Sequence, residues 1–84
     1  MVKVFSVENC PYCTELKSLL VRDNIQFIDI DVNLPENQDE FNKLYEVTQC
    51  NEVPMVLVNN QALIPTVSFK SITEAFCLTK KFLL

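Results

Sequence analysis

The sequence predicts an α/β chain: a four-stranded mixed sheet flanked by three helices, in the order β-α-β-α-β-β-α. Three observations carry this. Short β-branched or apolar runs at Val2–Ser6, Ile25–Val32 and Val53–Val58 have the length and composition of strands. Between and after them, apolar residues recur at helical spacing: Leu16, Leu19 and Leu20; Phe41, Leu44, Tyr45 and Thr48; Ile72, Ala75, Phe76, Thr79 and Leu83. Finally, Asn59-Asn60 sits between the third run and a short return run, Gln61–Ile64, where a two-residue hairpin turn fits. A βαβ unit followed by a hairpin and a helix gives a mixed sheet with helices on its faces.

Each element has a local justification. Val2–Ser6 reads as a buried strand and Val7–Pro11 as a loop. Pro11 suits the first helical turn, where its missing N–H is not needed. Glu15, Lys17, Ser18 and Arg22 take the outer surface of that helix. The chain has no glycine, where average usage of about 7% predicts roughly six. Sites that want positive φ must use another residue, most cheaply Asn, and Asn24 is placed to end the first helix.

In the second strand Ile28, Ile30 and Val32 point one way and Phe27, Asp29 and Asp31 the other. Two aspartates on one face predict an edge strand. Asn33-Leu34-Pro35 turns into a second helix from Glu36 to about Gln49, with Glu36, Asp39 and Glu40 at the end where the helix dipole favours anions. The nearly continuous apolar run to Val58 predicts a central strand. Ser71-Ile72-Thr73-Glu74 has the form of a capping box for the last helix, and Lys80 and Lys81 complement its C-terminus.

The bulk composition narrows the function. Eighty-four residues, 49% of them apolar, fit one domain spanning 1–84 with a core of its own. No apolar run approaches the roughly 18–20 residues that span a bilayer, and the N-terminal run is too short for a secretory signal. The expectation is a soluble, cytoplasmic monomer. The net charge of −4 comes from 7 basic and 11 acidic side chains with the basic ones dispersed, which argues against nucleic acid as a ligand.

Chemistry concentrates at Cys10-Pro11-Tyr12-Cys13. Thiolate, not thiol, is the nucleophile in disulfide exchange. Cys10 falls just before the first helical turn, where unpaired N–H groups and the dipole stabilise a negative sulfur. Cys13 lies about one turn deeper and can close a disulfide on Cys10. Cys10 should therefore attack and Cys13 resolve, and Lys17 adds at most a nearby positive charge. Three readings compete: a structural disulfide, disfavoured in a reducing cytosol; a metal or cluster site; and a docking module with an idle dithiol. A metal would need Cys50 and Cys77 as further ligands, because the chain has no His, and those two are isolated in the sequence. No metal is expected. A second signal is Val53-Pro54 at the start of the apolar strand: either a strand-initiating proline, or a cis peptide that turns the Val53 backbone toward a substrate.

These residues resemble the glutaredoxins, the dithiol branch of the thioredoxin-like superfamily. The resemblance covers nearly the whole chain and rests on Val4-Phe5-Ser6, the tetrapeptide Cys10-Pro11-Tyr12-Cys13, and Val53-Pro54 followed by a strand and hairpin. It implies the thioredoxin-like fold. It also implies an enzyme that reduces protein disulfides and glutathione mixed disulfides, with glutathione as reducing co-substrate and no bound cofactor. By resemblance Cys10 is the nucleophile and Cys13 the resolving thiol; Tyr12 flanks glutathione, Val53 pairs its backbone with it, and Pro54 is the cis-proline. The chain departs from the family pattern at Glu52, where Thr is usual, and after the hairpin. There Ile64-Pro65-Thr66-Val67-Ser68 stands in place of Gly-Gly, leaving Thr66 and Ser68 as candidates for the γ-glutamyl carboxylate. No Lys precedes the motif, and Glu8 and Glu52 make an acidic rim. A related branch, recharged by thioredoxin reductase and serving ribonucleotide reductase, is the alternative; its Trp-Ser-Gly-Phe stretch is absent.

Overall fold

The computed structural model describes residues 1–83. Its elements run β1 (Val2–Ser6), α1 (Pro11–Arg22), β2 (Ile28–Asp31), a single 3-10 turn (Pro35–Asn37), α2 (Gln38–Thr48), β3 (Met55–Val58), β4 (Gln61–Leu63) and α3 (Ile72–Leu83). The sheet order is β2-β1-β3-β4, with β1 parallel to β2 and antiparallel to β3, and β3 antiparallel to β4. The most apolar strands, β1 and β3, are central, and the two-aspartate strand is an edge. This is the thioredoxin-like fold.

The period-2 alternation of the strands sorts the core into two layers. Val2 and Val4 of β1 and Val56 and Val58 of β3 face α1 and α3, where they meet Leu16, Leu20, Ala75 and Phe76. Phe5 and Met55 face the other way, toward Phe41 and Leu44 of α2. The Lys3 ammonium, on that same face, pairs with Glu40 of α2 at 2.6 Å.

Helix ends explain where the boundaries fall. At the end of α1, Asn24 has φ 58, its N–H donates to the Val21 carbonyl at 3.0 Å, and the Ile25 N–H donates to Leu20 at 2.9 Å. This Schellman termination consumes the Ile25 amide. The second strand therefore starts at Ile28 instead of Ile25, while Ile25 and Phe27 pack against the α1–α3 core. Pro35 opens a 3-10 turn, so α2 begins at Gln38, and Gln49 closes it in the left-handed region at φ 57. Tyr45, expected on the inner stripe of α2, is 41% exposed. No α2 residue is fully buried, because only Phe41 and Leu44 reach the thin layer over Phe5.

The Asn59-Asn60 hairpin has φ 48 and 68, both positive as a type I′ turn demands. At α3 the Glu74 N–H donates to Ser71 Oγ at 3.1 Å, but the Glu74 carboxylate accepts from the Lys70 N–H at 2.6 Å, one residue earlier than in a symmetrical capping box. At the other end of α3, Lys80 pairs with Asp23, the C-cap of α1, at 3.0 Å. That Lys80 hydrogen bond outweighs desolvation and, with the charges of Lys80 and Arg22, holds the exposed Asp23 carboxyl below its ordinary range. Among the described residues no helix is long and apolar enough to cross a membrane.

Candidate active site

Asn9, with φ 59, turns the loop after β1 so that Cys10 arrives at the N-cap of α1 in an extended conformation, φ −105 and ψ 105. Pro11, next, is the first helical residue. Of the amides that the first turn leaves free of intrahelical partners, Pro11 offers none. The Thr14 N–H donates to the Cys10 carbonyl at 3.0 Å. The Cys13 N–H donates to Cys10 Sγ at 3.2 Å, the side-chain cap of the helix. A cysteine thus stands where Ser, Thr or Asp usually caps a helix, and its sulfur takes the bond that a hydroxyl would take.

Cys10 and Cys13 are joined as a disulfide, their Cα atoms 5.3 Å apart. Cys10 is half-buried and Cys13 only 1% exposed, packed beneath the first turn. Cys10 is thus the more accessible of the two sulfurs and Cys13 the shielded one. Lys17 does not lend its charge to the dithiol. Its ammonium pairs with Asp29 at 2.9 Å, and Asp29 also accepts from Ser6 Oγ at 2.6 Å. Partial burial pushes the Asp29 carboxyl up, but the hydrogen bonds from Ser6 and Lys17 and the Lys17 charge outweigh it, leaving the group below its usual range.

Beside the dithiol lies a groove of about 520 Å³. Its walls are Tyr12 and Glu15 of α1, Glu52–Pro54 before β3, Pro65–Thr66, and Phe69–Thr73 leading into α3. Tyr12, between the two cysteines, is 65% exposed and forms the side next to them. The Val53–Pro54 bond is cis. Tyr12, Val53, Pro54 and Thr66, four of the five expected substrate-contacting residues, are brought together here. Ser68 is not in the wall: its hydroxyl accepts from the Ile64 N–H at 3.0 Å and its own N–H donates to the Ile64 carbonyl at 2.9 Å. Those bonds close the Ile64–Ser68 loop and hold Thr66 at φ 66, a left-handed conformation that is costly for a β-branched residue.

Of the two acidic residues expected at the rim, Glu52 lines the groove and Glu8 does not. The sequence reading missed Glu15 and Lys70. Glu15 reads as helix surface from periodicity alone, and it becomes groove only because α3 packs alongside α1. The signal for Lys70 was present, since it directly precedes the Ser71 cap. Cys50 and Cys77 are outside any disulfide. Among the described residues no three His, Cys, Asp or Glu side chains are grouped to hold a metal ion.

Comparison with known proteins agrees with this geometry. The sequence model of the glutaredoxin family matches residues 2–63. A glutaredoxin-like 8.6 kDa protein in the rubredoxin operon of Clostridium pasteurianum is 27% identical over 64 residues, covering 76% of this chain and 83% of its own. Wheat glutaredoxin superposes with a TM-score of 0.70 at 25% identity, over 94% of this chain and 70% of that one. The dithiolic glutaredoxin of Trypanosoma brucei brucei gives a TM-score of 0.70 at 23% identity, over 99% of this chain and 80% of its own, a likeness of fold.

Proposed function

Because the chain belongs to the glutaredoxin family, we propose that it is a glutathione-dependent thiol–disulfide oxidoreductase that reduces protein disulfides and glutathione mixed disulfides. The observation that carries this reading is the Cys10 sulfur at the N-cap of α1, accepting the Cys13 amide, with the Cys13 sulfur in bonding reach. In the reduced protein the same amide stabilises a Cys10 thiolate. That thiolate attacks one sulfur of a target disulfide; the target S–S bond breaks and the second target sulfur leaves as a thiolate, which takes a proton from water. Cys13, losing its proton, then attacks Cys10 in the mixed disulfide. This frees the first target sulfur and closes Cys10–Cys13. The dithiol loses two electrons and the target gains two.

Two glutathione molecules restore the dithiol in the same two steps, leaving oxidised glutathione. In this reading Tyr12 flanks the tripeptide, the Val53 backbone pairs with its cysteinyl unit beside cis-Pro54, and Thr66 stands near its γ-glutamyl end. The protein acts as a monomer in a reducing, cytoplasmic compartment. The rubredoxin-operon setting of the Clostridium relative supports a redox role. The alternative is recharging by thioredoxin reductase with ribonucleotide reductase as target; the acidic Glu15 and Glu52 in the groove, unfavourable to an anionic tripeptide, favour it.

The test follows NADPH loss with hydroxyethyl disulfide, glutathione and glutathione reductase. Turnover that needs both glutathione and Cys10 is expected. Silence with glutathione, and turnover once thioredoxin reductase replaces it, transfers the assignment to the alternative.

A further inference from the structure

The charged groups of the groove are unevenly committed. Two helix N-termini converge on it, those of α1 and α3, and each would attract an anion. Both are already served. The α1 terminus has the Cys10 sulfur as its cap, and the α3 terminus has Ser71 Oγ on the Glu74 amide and the Glu74 carboxylate on the Lys70 amide. The α1 cation nearest the dithiol in sequence, Lys17, is held by Asp29. What remains unpaired in the wall is two carboxylates, Glu15 and Glu52, and one ammonium, Lys70; none of the three joins an ion pair among the described residues. Around them the surface is apolar, from Val53, Pro54, Phe69 and Ile72. The two carboxylates come from different elements, α1 and the loop before β3, and Glu52 directly precedes the Val53–Pro54 pair.

We propose that Glu15 and Glu52 are specificity-determining residues, and that the preferred target is a cystine-bearing protein segment with Lys or Arg beside the reactive cysteine. This rests on the dithiol reading above and names its substrate class. A cationic flank meets two carboxylates with no competing partner, whereas an anionic flank meets them as like charges. The apolar wall takes the aliphatic stem of the Lys or Arg. Lys70 opposes the preference at the α3 side.

The experiment uses the reduced full chain, without glutathione, and blocked pentapeptides whose single cysteine carries 5-thio-2-nitrobenzoate. Cys10 attacks the peptide sulfur, and the nitrobenzoate thiolate leaves with the bonding pair and is read by absorbance. Cys13 then displaces the peptide thiol and closes the disulfide. Peptides flanked by Lys, Gln or Glu are compared, each rate divided by that of the same peptide with mercaptoethanol, which removes intrinsic reactivity. At low salt the normalised rate for the Lys peptide should exceed that for the Glu peptide about five-fold, the order expected for one to two exposed charge pairs. The ratio should shrink at high salt. It should fall toward unity in the Glu15→Gln/Glu52→Gln double variant and widen in Lys70→Gln. It should persist in Glu46→Gln, which removes one unit of charge from exposed α2 on the other side of the sheet. Equal rates for the three peptides, or a ratio that survives the double variant, overturns the specificity while leaving the dithiol chemistry standing. No nitrobenzoate release from any peptide overturns both.

Discussion

The reduced protein offers a two-sided test of the helix-cap argument, with Cys77 as internal reference. Cys77 is exposed in the interior of α3, where the amides are bonded within the helix. Cys10 has the Cys13 N–H at 3.2 Å and the α1 terminus behind it. A hydrogen bond to a charged group contributes about 1.5–3 kcal/mol and the dipole about 0.3–1 kcal/mol. With Lys17 neutralised by Asp29, the low ends of both ranges apply, about 2 kcal/mol in favour of the Cys10 thiolate. This corresponds to roughly 30-fold more thiolate at Cys10 below neutral pH than at a thiol without those donors, at about 1.4 kcal/mol per decade. A stabilised thiolate is also a poorer nucleophile, with a Brønsted slope of about 0.4–0.5, so roughly half of that logarithmic gain is lost. Limiting iodoacetamide with mass-spectrometric readout of the two peptides should then show Cys10 labelled about five times faster near pH 6.5 and about five times slower near pH 9.5. The crossover is the signature. A ratio at or below one in the acid arm, or a ratio that does not change with pH, would show that the first-turn amide does nothing for the reduced sulfur and would remove the physical basis of the enzyme reading.

Three further outcomes follow from the same structure. Cys13→Ser should retain turnover on glutathione mixed disulfides and lose it on intramolecular protein disulfides, because only the second reaction needs a thiol to release a trapped partner; equal loss on both contradicts the division of roles. Asp29→Asn should cost about 0.5 kcal/mol at neutral pH, a figure discounted for the exposure of the Lys17 pair. Because the native carboxyl is held below its unfolded value, this stabilisation is present above an unfolded pKa of about 3.9 and disappears as pH falls through the lower native value. Urea titrations of both proteins at neutral and acid pH check this, and a difference that persists in strong acid refutes it. Thr66→Gly should raise stability by about 0.5 kcal/mol, the left-handed penalty of about 1–2 kcal/mol for a β-carbon minus about 0.4–1 kcal/mol for the looser unfolded chain. A lower urea midpoint would mean that Thr66 at φ 66 is not strained.

Features written in neighbouring residues were legible without the structure. The tetrapeptide and Pro11 place a dithiol at a helix start, and the glycine-free composition sends Asn24, Asn59 and Asn60 to positive φ, where the structure has them. Features made by packing distant elements were not. Thr66 is forced left-handed by bonds that Ser68 and Phe69 return to Ile64 and Thr66, and nothing in the residue itself announces that. Glu15 becomes groove lining only through the neighbouring α3, and Tyr45 stays exposed because α2 covers a smaller part of its sheet face than its apolar stripe implies.

The pairing of α1 with α3 has a mechanical consequence. Asp23 and Lys80 pin the two helices at their C-terminal ends, Leu16 and Leu20 lock against Ala75 and Phe76 along their length, and the N-terminal ends form the groove. Such a pair resembles tongs whose arms are fused nearly to the tips. The gap cannot spread to admit a folded bulk without sliding buried side chains past one another, so the conformational adjustment on encounter falls to the visitor. For the proposed reaction, a cystine in a frayed or extended segment is therefore the easier substrate, and the same bond inside a rigid partner reacts only once that partner opens.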